Sequence, residues 1–295
     1  MGAIKGIQQL KWLDLCSGIG AGFPFAGIKL WGKYPYRFCE RDEFCQSILK
    51  TRYPGSEIIS NIKDPSFRAK HGCGNYKADI ITASPPCQPF SVDGKRLGAD
   101  DERDCIPAVL GAIESIKPRF AIIENVTGLR TCPRRPGDKL GSYFLWMLER
   151  LSASGYDAEW QTISSGNFAA PWRRERLLIL ARSRSAQLDW ERATPWHLQV
   201  RRSVEEVRTR FAGGSDKPGI PRSWLPVTAG IQQSNGNSVS VGISASPGAG
   251  IQFGVASGDG TNRDRRSALG NALDWRVAAV ALKRVETLNR QLEQG

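Results

Sequence analysis

The sequence predicts a doubly wound α/β domain with a mostly parallel sheet, followed by a small second lobe. Over the first 182 residues, short and almost continuously apolar runs alternate with helical patterns, which is typical of strands buried on both faces. Turns rich in glycine or proline follow several of these runs, and the alternation stops after Arg182. Because sheets of this kind bind ligands at the carboxyl ends of their strands, those turns are the candidate sites.

The apolar runs predict strands that are short and bounded by turn residues. They lie at 12–16, 36–39, 78–83, 120–123, 159–163 and 177–181. Helices are predicted where apolar residues recur at helical spacing, with Asp42 as the N-cap of the first and Tyr53-Pro54-Gly55 as its end. They cover 42 to about 52, 105–116, 140–154 and 268–292.

After this core the chain changes character. We predict a core domain over 1–182, a small lobe over 183–265, and a segment over 266–295 that returns to the core as an amphipathic helix. The stretch 223–258 contains no charged residue and is rich in Gly, Ser, Asn and Gln. It is compatible with short β-hairpins or with a flexible tract, and the sequence does not decide between them. The returning helix should bring the two ends of the chain close together.

Composition restricts the class of protein. The chain has 295 residues, 40% of them hydrophobic, which excludes a wholly disordered or fibrous protein. It lacks a run of about 18 apolar residues and an apolar leader at its start, so we expect no membrane span and a cytoplasmic location. Lys and Arg number 41 against 29 Asp and Glu, a net charge of +12 that suits a polyanion, with nucleic acid as the first candidate.

The cysteines and histidines argue against two other frameworks. The seven cysteines are an odd number without an export signal, so a disulfide framework is not expected. The sequence has no Cys-x-x-Cys pair and only two histidines, so we expect no metal site.

Two predicted strand ends carry residues that suit a nucleotide-like cofactor. Asp14-Leu15-Cys16-Ser17-Gly18-Ile19-Gly20-Ala21-Gly22 follows the first strand, and its glycines allow the backbone to approach a ligand closely. Glu40 follows the second strand, where a carboxylate can accept both ribose hydroxyls of an adenosine-containing cofactor. This pattern alone suits a nicotinamide enzyme as well as a methyltransferase.

The next strand ends carry groups for covalent chemistry. Ser84-Pro85-Pro86-Cys87-Gln88-Pro89-Phe90-Ser91 places a cysteine in a loop that prolines restrict. Its thiolate is a strong nucleophile if the surroundings are electropositive. Glu124 and Asn125 follow the next strand, and Trp172-Arg173-Arg174-Glu175-Arg176 brings cations to the start of the last strand.

In this order, the motifs strongly resemble those of the DNA (cytosine-5)-methyltransferase family. DLCSGIGAG resembles its cofactor loop, ERD its ribose-binding turn, SPPCQPFS its nucleophile loop, ENV its glutamate motif, RRER its arginine motif and LGNA at 269–272 its closing motif. The resemblance covers roughly 11–182 and 264–290, about two thirds of the chain. It implies a Rossmann-like methyltransferase domain over 1–182, with 183–265 as the target-recognition region.

The resemblance also implies roles in catalysis. Cys87 would attack carbon 6 of cytosine, Glu124 would hydrogen-bond or protonate ring N3, Arg176 would hold the O2 carbonyl and Arg174 would support the loop. The target base of a duplex would have to be flipped out of the stack. The residues implied on the substrate side are Gln88 and Ser91 on the closing loop, Arg103 as a loop anchor or phosphate contact, and Asn125.

For the cofactor, the resemblance implies S-adenosyl-L-methionine. The residues implied for its binding are Asp14, Cys16, Ser17, Gly18, Gly20, Glu40, Arg41, Asn61, Ile62, Pro86, Asn271 and Ala272. Two positions depart from the family pattern: Cys16 stands where an aromatic residue is usual, and Trp172 stands where glutamine opens the arginine motif.

The implied partner is double-stranded DNA, and we expect a monomer in a restriction-modification setting or in protection of phage or host DNA. A cognate restriction endonuclease is an open partner. Candidate DNA contacts in the second lobe are Arg201, Arg202, Arg208, Arg210 and Arg222. The alternatives are an RNA cytosine-5 methyltransferase and a catalytically silent DNA-binding relative. A nicotinamide dehydrogenase would explain the glycines and Glu40 but not the PCQPFS loop.

Overall fold

The computed structural model describes residues 6–64, 67, 77–168, 170, 173–186, 194–211, 241–243, 253–255 and 272–294. The strands in this part of the chain are β1 (Trp12–Leu15), β2 (Arg37–Cys39), β3 (Glu57–Ile59), β4 (Ile80–Ala83), β5 (Phe120–Asn125), β6 (Tyr156–Ser164), β7 (Glu175–Ser183), β8 (Val241–Ile243) and β9 (Phe253–Val255). The helices are α1 (Phe23–Trp31), α2 (Glu43–Arg52), α3 (Ile106–Ile116), α4 (Ser142–Ala153), α5 (Trp196–Phe211) and α6 (Trp275–Gln294).

Seven strands form one sheet in the order β3-β2-β1-β4-β5-β7-β6. Strands β1 to β5 pair in parallel, whereas β7 is antiparallel to both β5 and β6. The predicted doubly wound, mostly parallel sheet is confirmed. The chain passes from β6 to β7 through the short 3-10 helix Ser165–Phe168, and without a crossover helix β7 has to run antiparallel.

Consecutive residues of the central strands face opposite sides of the sheet, which explains why the strands are apolar throughout. In β1, Trp12 packs in the cluster that includes α1 and α6, and Leu13 packs in the cluster that includes α3 and α4. In β5, Ile122 packs in the cluster with α1 and α6, and Ile123 packs in the cluster with α3 and α4. The sheet is therefore buried between two helical layers, and only its edges are open to a ligand.

Several element boundaries differ from the predicted ones. The first strand ends at Leu15, the third predicted strand begins at Ile80, and the last two predicted strands are longer at both ends. The C-terminal helix begins at Trp275, because the Asp274 carboxylate accepts a hydrogen bond from the backbone N of Arg276 (3.0 Å) and caps the helix. Asp42 caps α2 as predicted, accepting from the Cys45 backbone N at 2.8 Å.

The region predicted as a second lobe, 183–265, contains a helix that the sequence did not predict. Helix α5 packs on α6, and a buried guanidinium joins it to the sheet: Arg284 pairs with both carboxylate oxygens of Glu159 on β6 (2.6 and 3.0 Å). The same guanidinium donates to Gln199 of α5 (2.6 Å) and to the carbonyl of Thr194 (2.8 Å). Its side chain is 0% exposed. Residues 196–211 are therefore packed against the core.

In the uncharged tract, the described residues form the antiparallel pair β8–β9, with Gly242 opposite Gly254. Near the two ends of the described chain, a Cβ at Gly6 would lie 3.7 Å from Oε1 of Glu293, so the predicted proximity is confirmed. Among the described residues, no helix combines the length and apolar character that a membrane crossing requires.

Candidate active site

The sheet topology brings the predicted catalytic residues together at the carboxyl ends of the parallel strands, which form one edge of the sheet. Cys87 follows β4, and Glu124 lies near the end of β5, the neighbouring parallel strand. Because β7 is antiparallel to β5, its beginning meets the same edge, with Leu178 opposite Glu124. Arg174 and Arg176 therefore approach Glu124 from the side of β7, whereas Cys87 approaches it from the side of β4.

Glu124 and Arg176 form a close ion pair. Nε of Arg176 lies 3.0 Å from Oε1 of Glu124, and both side chains are largely buried. Burial raises the pKa of the Glu124 carboxyl, while Arg176, Arg174 and a hydrogen bond with the Ser84 side chain oppose that rise. The site thus holds a carboxyl group that accepts a proton more readily than an exposed glutamate does.

The Cys87 thiol lies within electrostatic range of this pair. Burial raises its pKa, and the nearby Glu124 raises it further. Arg176 and Arg174 lower it, but they do not outweigh the burial. The electropositive surroundings expected from the sequence are present, yet the balance favours the protonated thiol.

The loop around Cys87 is held by backbone and side-chain hydrogen bonds. The backbone N atoms of Phe90 and Ser91 both donate to the Cys87 carbonyl at 3.0 Å. Nδ2 of the buried Asn125 donates to the carbonyl of Pro85 at 3.1 Å. Asn125, predicted on the substrate side, therefore supports the loop from the end of β5 through the Pro85 carbonyl.

The two other predicted loop residues differ in their surroundings. Gln88 is partly buried, and its amide oxygen is buried with no hydrogen-bond partner among the described residues. The Ser91 hydroxyl accepts a long hydrogen bond of 3.4 Å from the Asp93 backbone N. Gln88 therefore retains a free acceptor on the nucleophile loop.

Beyond Ser91, the loop is anchored by residues that the sequence analysis missed. Nη2 of Arg96 donates to the carbonyl of Gly128 (3.1 Å) and to the Thr131 hydroxyl (2.8 Å). A Cβ at Gly128 would lie 2.4 Å from the Phe90 carbonyl oxygen, so the two segments touch at backbone distance. The glycines spaced along GKRLG and ENVTG are the signal that could have indicated this contact.

Arg103 lies at the far end of this segment. Its Nε and Nη2 atoms donate to the two carboxylate oxygens of Asp101 at 2.8 and 2.7 Å. This pairing lowers the pKa of Asp101 to about 2. Arg103 is half-exposed and fixes the end of the loop, while its predicted phosphate contact stays a prediction.

The proposed cofactor cradle is built from the β1–α1 loop and Glu40. Oε2 of Glu40 accepts from the backbone N of Gly18 (2.6 Å), and Oε1 accepts from the backbone N of Asp42 (2.9 Å). Each carboxylate oxygen keeps a second lone pair for a ligand hydroxyl. Burial raises the pKa of Glu40. The Ser17 hydroxyl donates to the Asp14 carbonyl at 2.9 Å and closes the turn.

Gly18 and Gly20 adopt positive φ angles of 52° and 70°, the left-handed region that favours glycine. A Cβ at Gly20 would lie 2.5 Å from Cε2 of Tyr53 and 2.9 Å from Cδ2 of Leu49, so a side chain has no room there. Cys16 also has a positive φ of 52°. The loop therefore turns sharply, with Cys16 and Gly18 partly exposed and Gly20 buried against Tyr53.

Asp14 is buried beneath this loop. Its carboxylate accepts a hydrogen bond from the Thr82 hydroxyl on the neighbouring strand, and that hydroxyl accepts one from Nε1 of Trp12 at 2.8 Å. Burial raises the pKa of Asp14 to about 7. The Asp14 side chain thus hydrogen-bonds to a neighbouring strand within the sheet. Its predicted contact with the cofactor stays a prediction.

The remaining predicted cofactor residues lie around the cradle. Ile62 is buried, whereas Asn61 is exposed and accepts from the Lys63 backbone N at 2.9 Å. Arg41 is exposed, and Pro86 and Ala272 are partly buried. Asn271 and Trp172 lie outside the described residues.

Two of the candidate DNA contacts on α5 carry ion pairs. Arg202 pairs with Glu206 at 3.0 Å and Arg208 pairs with Glu205 at 2.9 Å. The two glutamates offset these arginine charges, so this helix face attracts phosphate less than its arginine count indicates.

Comparisons with known proteins identify the family of the chain. The sequence model of the C-5 cytosine-specific DNA methylase family matches residues 10–211. The chain is 31% identical over 176 residues to type II methyltransferase M.NaeI of Lentzea aerocolonigenes. The aligned residues cover 59% of this chain and 40% of the relative. It is 34% identical over 180 residues to type II methyltransferase M.NlaIV of Neisseria lactamica, covering 59% and 41%.

A solved structure extends the similarity of fold. The structure of the Entamoeba histolytica methyltransferase EhMeth aligns with a TM-score of 0.57 and 15% identity, covering 96% of this chain and 99% of that chain. At this identity the likeness concerns the fold alone. The chain spans less than half the length of the two curated relatives. The match over residues 10–211 shows that the chain belongs to the C-5 cytosine-specific DNA methylase family.

Proposed function

We propose that this protein transfers a methyl group from S-adenosyl-L-methionine to carbon 5 of cytosine in double-stranded DNA, through a covalent Cys87 adduct. The observation that carries the proposal is the buried Glu124–Arg176 ion pair at the sheet edge, within electrostatic range of Cys87. A nucleophile, an acid that can hydrogen-bond or protonate N3 and a fixed cation are what addition to a cytosine ring requires.

The three side chains divide the chemistry between them. The Cys87 thiolate forms a bond to carbon 6, and the electron pair displaced from the 5,6 double bond makes carbon 5 nucleophilic. Glu124, whose pKa burial raises, donates a hydrogen bond or a proton to N3, and Arg176 holds the O2 carbonyl. Arg174 adds positive charge. After methyl transfer, a base removes the carbon 5 proton and the bond from carbon 6 to sulfur breaks, which restores the ring.

Cys87 has to lose its proton before it attacks. Since burial raises its pKa, the two arginines alone do not hold the thiolate. We propose that the thiol loses its proton to water and that the bound, flipped-out cytosine consumes the thiolate: once Glu124 engages N3 and Arg176 engages O2, carbon 6 becomes more electrophilic and the thiolate adds to it. Gln88 and Ser91 on the same loop would contact the flipped nucleotide.

The cradle fits S-adenosyl-L-methionine. Glu40 has lone pairs for ribose hydroxyls, and the partly exposed Ser17 and Gly18 beside it offer backbone atoms to the ligand. The other residues proposed to line it are Asp14, Cys16, Ser17, Arg41, Asn61, Ile62, Pro86, Asn271 and Ala272. When bound, S-adenosyl-L-methionine supplies an electrophilic methyl group. The residues around it orient the ligand and exclude water.

The biological setting follows from the relatives. Both curated relatives are called type II methyltransferases, which supports a restriction-modification role. Protection of phage or host DNA is the other setting we propose. We place target recognition in 183–265, and we propose a monomer in the cytoplasm with a restriction endonuclease as partner.

A trapping assay tests the mechanism. The protein is incubated with S-adenosyl-L-methionine and a pool of random-sequence duplexes that contain 5-fluorocytosine, whose fluorine blocks the final proton removal. We expect a denaturant-resistant protein–DNA adduct that Cys87→Ala abolishes and that Cys45→Ala, a change at a buried cysteine of α2, retains. An adduct that persists in Cys87→Ala, or no adduct and no methyl transfer on any duplex, contradicts the proposal. The same assay with single-stranded RNA pools tests the alternative of an RNA cytosine-5 methyltransferase, which predicts an adduct with RNA and none with DNA.

A further inference from the structure

Three cysteines lie at one corner of the sheet, apart from Cys87. Cys16 directly follows β1, Cys39 ends the neighbouring strand β2, and Cys105 is the N-cap residue of α3. The Cys16 thiol donates a hydrogen bond to the sulfur of Cys105. Both thiols are free and partly exposed, and both pack against the same hydrophobic cluster. Two cysteines that are 89 positions apart in the sequence thus lie beside each other in the fold.

The surroundings of the pair distinguish its two members. Cys105 stands at the N-terminus of an 11-residue helix, whose dipole favours negative charge. Lys63 and Arg41 add positive charge, and Nζ of Lys63 is held by the Glu102 carbonyl at 2.7 Å. The hydrogen bond from Cys16, with a smaller contribution from these cations, lowers the pKa of Cys105 to about 7, although burial and Asp104 oppose the shift. The pKa of Cys16 is raised, because its proton is shared with Cys105.

The other described cysteines are less reactive by the same reasoning. Burial raises the pKa of Cys39 to about 12 and also raises the pKa values of Cys45, Cys87 and Cys132. Among the cysteines that the structure describes, Cys105 is therefore the one with a lowered pKa. It also has a second thiol already in contact, which is the arrangement of an attacking cysteine and a resolving cysteine.

We propose that Cys16 and Cys105 form a reversible disulfide, a redox modification site on the wall of the cofactor cradle. With a peroxide as oxidant, the Cys105 thiolate attacks one peroxide oxygen, the O–O bond breaks, and Cys105 becomes a sulfenic acid as water leaves. The Cys16 sulfur then attacks the sulfenic sulfur, the S–S bond forms, and the second water leaves. The two thiols are oxidised by two electrons, and the peroxide is reduced to water.

The disulfide would control cofactor binding, a consequence that rests on the proposed function. Cys16 immediately precedes Ser17, which bonds to the Cys39 carbonyl, and Gly18, whose backbone N donates to Glu40 of the cradle. A covalent bond to the start of α3 would fix this loop and put two bonded sulfurs where an aromatic side chain is usual in the family. Oxidation should then weaken binding of S-adenosyl-L-methionine, and reduction should restore it.

The cross-link is tested by mass spectrometry on the full chain. The protein is treated with a small molar excess of hydrogen peroxide, remaining thiols are blocked with iodoacetamide, and the digest is searched for disulfide-linked peptides with and without dithiothreitol. We expect a linked pair of Cys16 and Cys105 peptides that dithiothreitol removes, that Cys105→Ser and Cys16→Ser each abolish, and that Cys45→Ser leaves intact. Without oxidant, iodoacetamide should label Cys105 about fivefold or more faster than Cys45 at pH 7.

The outcomes separate the two parts of the proposal. Absence of the linked peptide while Cys87 or another cysteine is oxidised overturns the thiol pair, as does labelling of Cys105 no faster than of Cys45 in protein with native circular dichroism. S-adenosylhomocysteine should slow formation of the cross-link, because it would lie against Cys16. A cross-link that forms at the same rate with and without this ligand upholds the thiol pair and overturns its link to the cofactor site.

Discussion

The Nε atom of Arg176 lies 3.0 Å from Oε1 of Glu124, across the antiparallel pair β5–β7. These residues are 52 positions apart in the sequence, and the reversed direction of β7 is what brings the arginine to the carboxyl ends of the parallel strands. In an all-parallel sheet, the start of this strand would lie at the opposite edge. The antiparallel strand is therefore part of the design of the site.

Glu124→Gln tests the role of the carboxyl group. The amide keeps the size of the side chain but cannot donate a proton to N3, so we expect adduct formation to slow by about 10²–10³-fold. The measurement is the rate of trapping on 5-fluorocytosine duplexes. Glu114→Gln is the matched control, because Glu114 pairs with Arg150 between α3 and α4 and should change the rate less than about twofold. Equal effects of the two changes would contradict the assignment.

Asn125→Ala tests the support of the nucleophile loop. Asn125 is 1% exposed, and its side chain joins the Pro85 carbonyl to the backbone N of Val126. Without it the loop loses a fixed attachment, and we expect adduct formation to fall by about tenfold or more while cofactor affinity stays the same. Asn167→Ala removes an exposed side chain that accepts from the Ser164 backbone N, and it is the control. A parallel loss of cofactor affinity in Asn125→Ala would point to general misfolding instead.

Gly20→Ala tests the steric requirement of the cofactor loop. The added methyl group would meet Tyr53 at 2.5 Å and Leu49 at 2.9 Å in a backbone conformation with positive φ. We expect a loss of about 2–4 kcal/mol in the free energy of unfolding, measured by urea denaturation. Gly55 also has a positive φ but open space around its Cα, so Gly55→Ala should cost only about 1 kcal/mol. Similar losses for both variants would exclude the steric explanation.

Asp14 should make stability depend on pH. Burial raises its pKa in the folded protein to about 7 from the ordinary value of 3.8, so the unfolded chain releases this proton at lower pH than the folded protein does. The difference between the two pKa values therefore adds to the free energy of unfolding while the carboxyl group is protonated. This contribution is fully present below pH 3.8 and is lost as the pH rises toward 7. In Asp14→Asn this loss should be absent, so unfolding free energies of the two proteins should diverge by about 2–4 kcal/mol between pH 4 and pH 7. Parallel pH profiles would show that Asp14 titrates normally.

Arg284→Ala tests the buried junction between α5, α6 and β6. Removal of the guanidinium leaves the Glu159 carboxylate without its buried partner and frees Gln199, and we expect a loss of about 3–5 kcal/mol in unfolding free energy. Arg202 is 85% exposed and pairs with Glu206 within α5, so Arg202→Ala should cost less than about 1 kcal/mol. Thermal denaturation of both variants measures the difference. A small effect of Arg284→Ala would mean that packing alone holds α5 in place.

Local patterns in the sequence were sufficient to predict most elements of the sheet and the gathering of Cys87, Glu124 and Arg176 at one edge. Strand β3 was missed because its three residues are too short a run to show a pattern. Helix α5 was missed although Trp196, Val200, Val204 and Val207 recur at helical spacing and pack on the core, because the charged residues between them hide this apolar stripe. The loop anchor Arg96 was missed because its partners Gly128 and Thr131 are more than 30 positions away.

The amino-acid sequence alone was enough to identify most strands and helices of the core, the motifs at the strand ends and the family that they resemble, because each of these depends on neighbouring residues. The direction of β7, the depth of burial of Asp14, Glu124 and Cys87, and the contact between Cys16 and Cys105 appear only in the folded protein. They depend on residues that are distant in the chain. The pKa of each group is set by how far packing removes it from water and which charges packing places beside it.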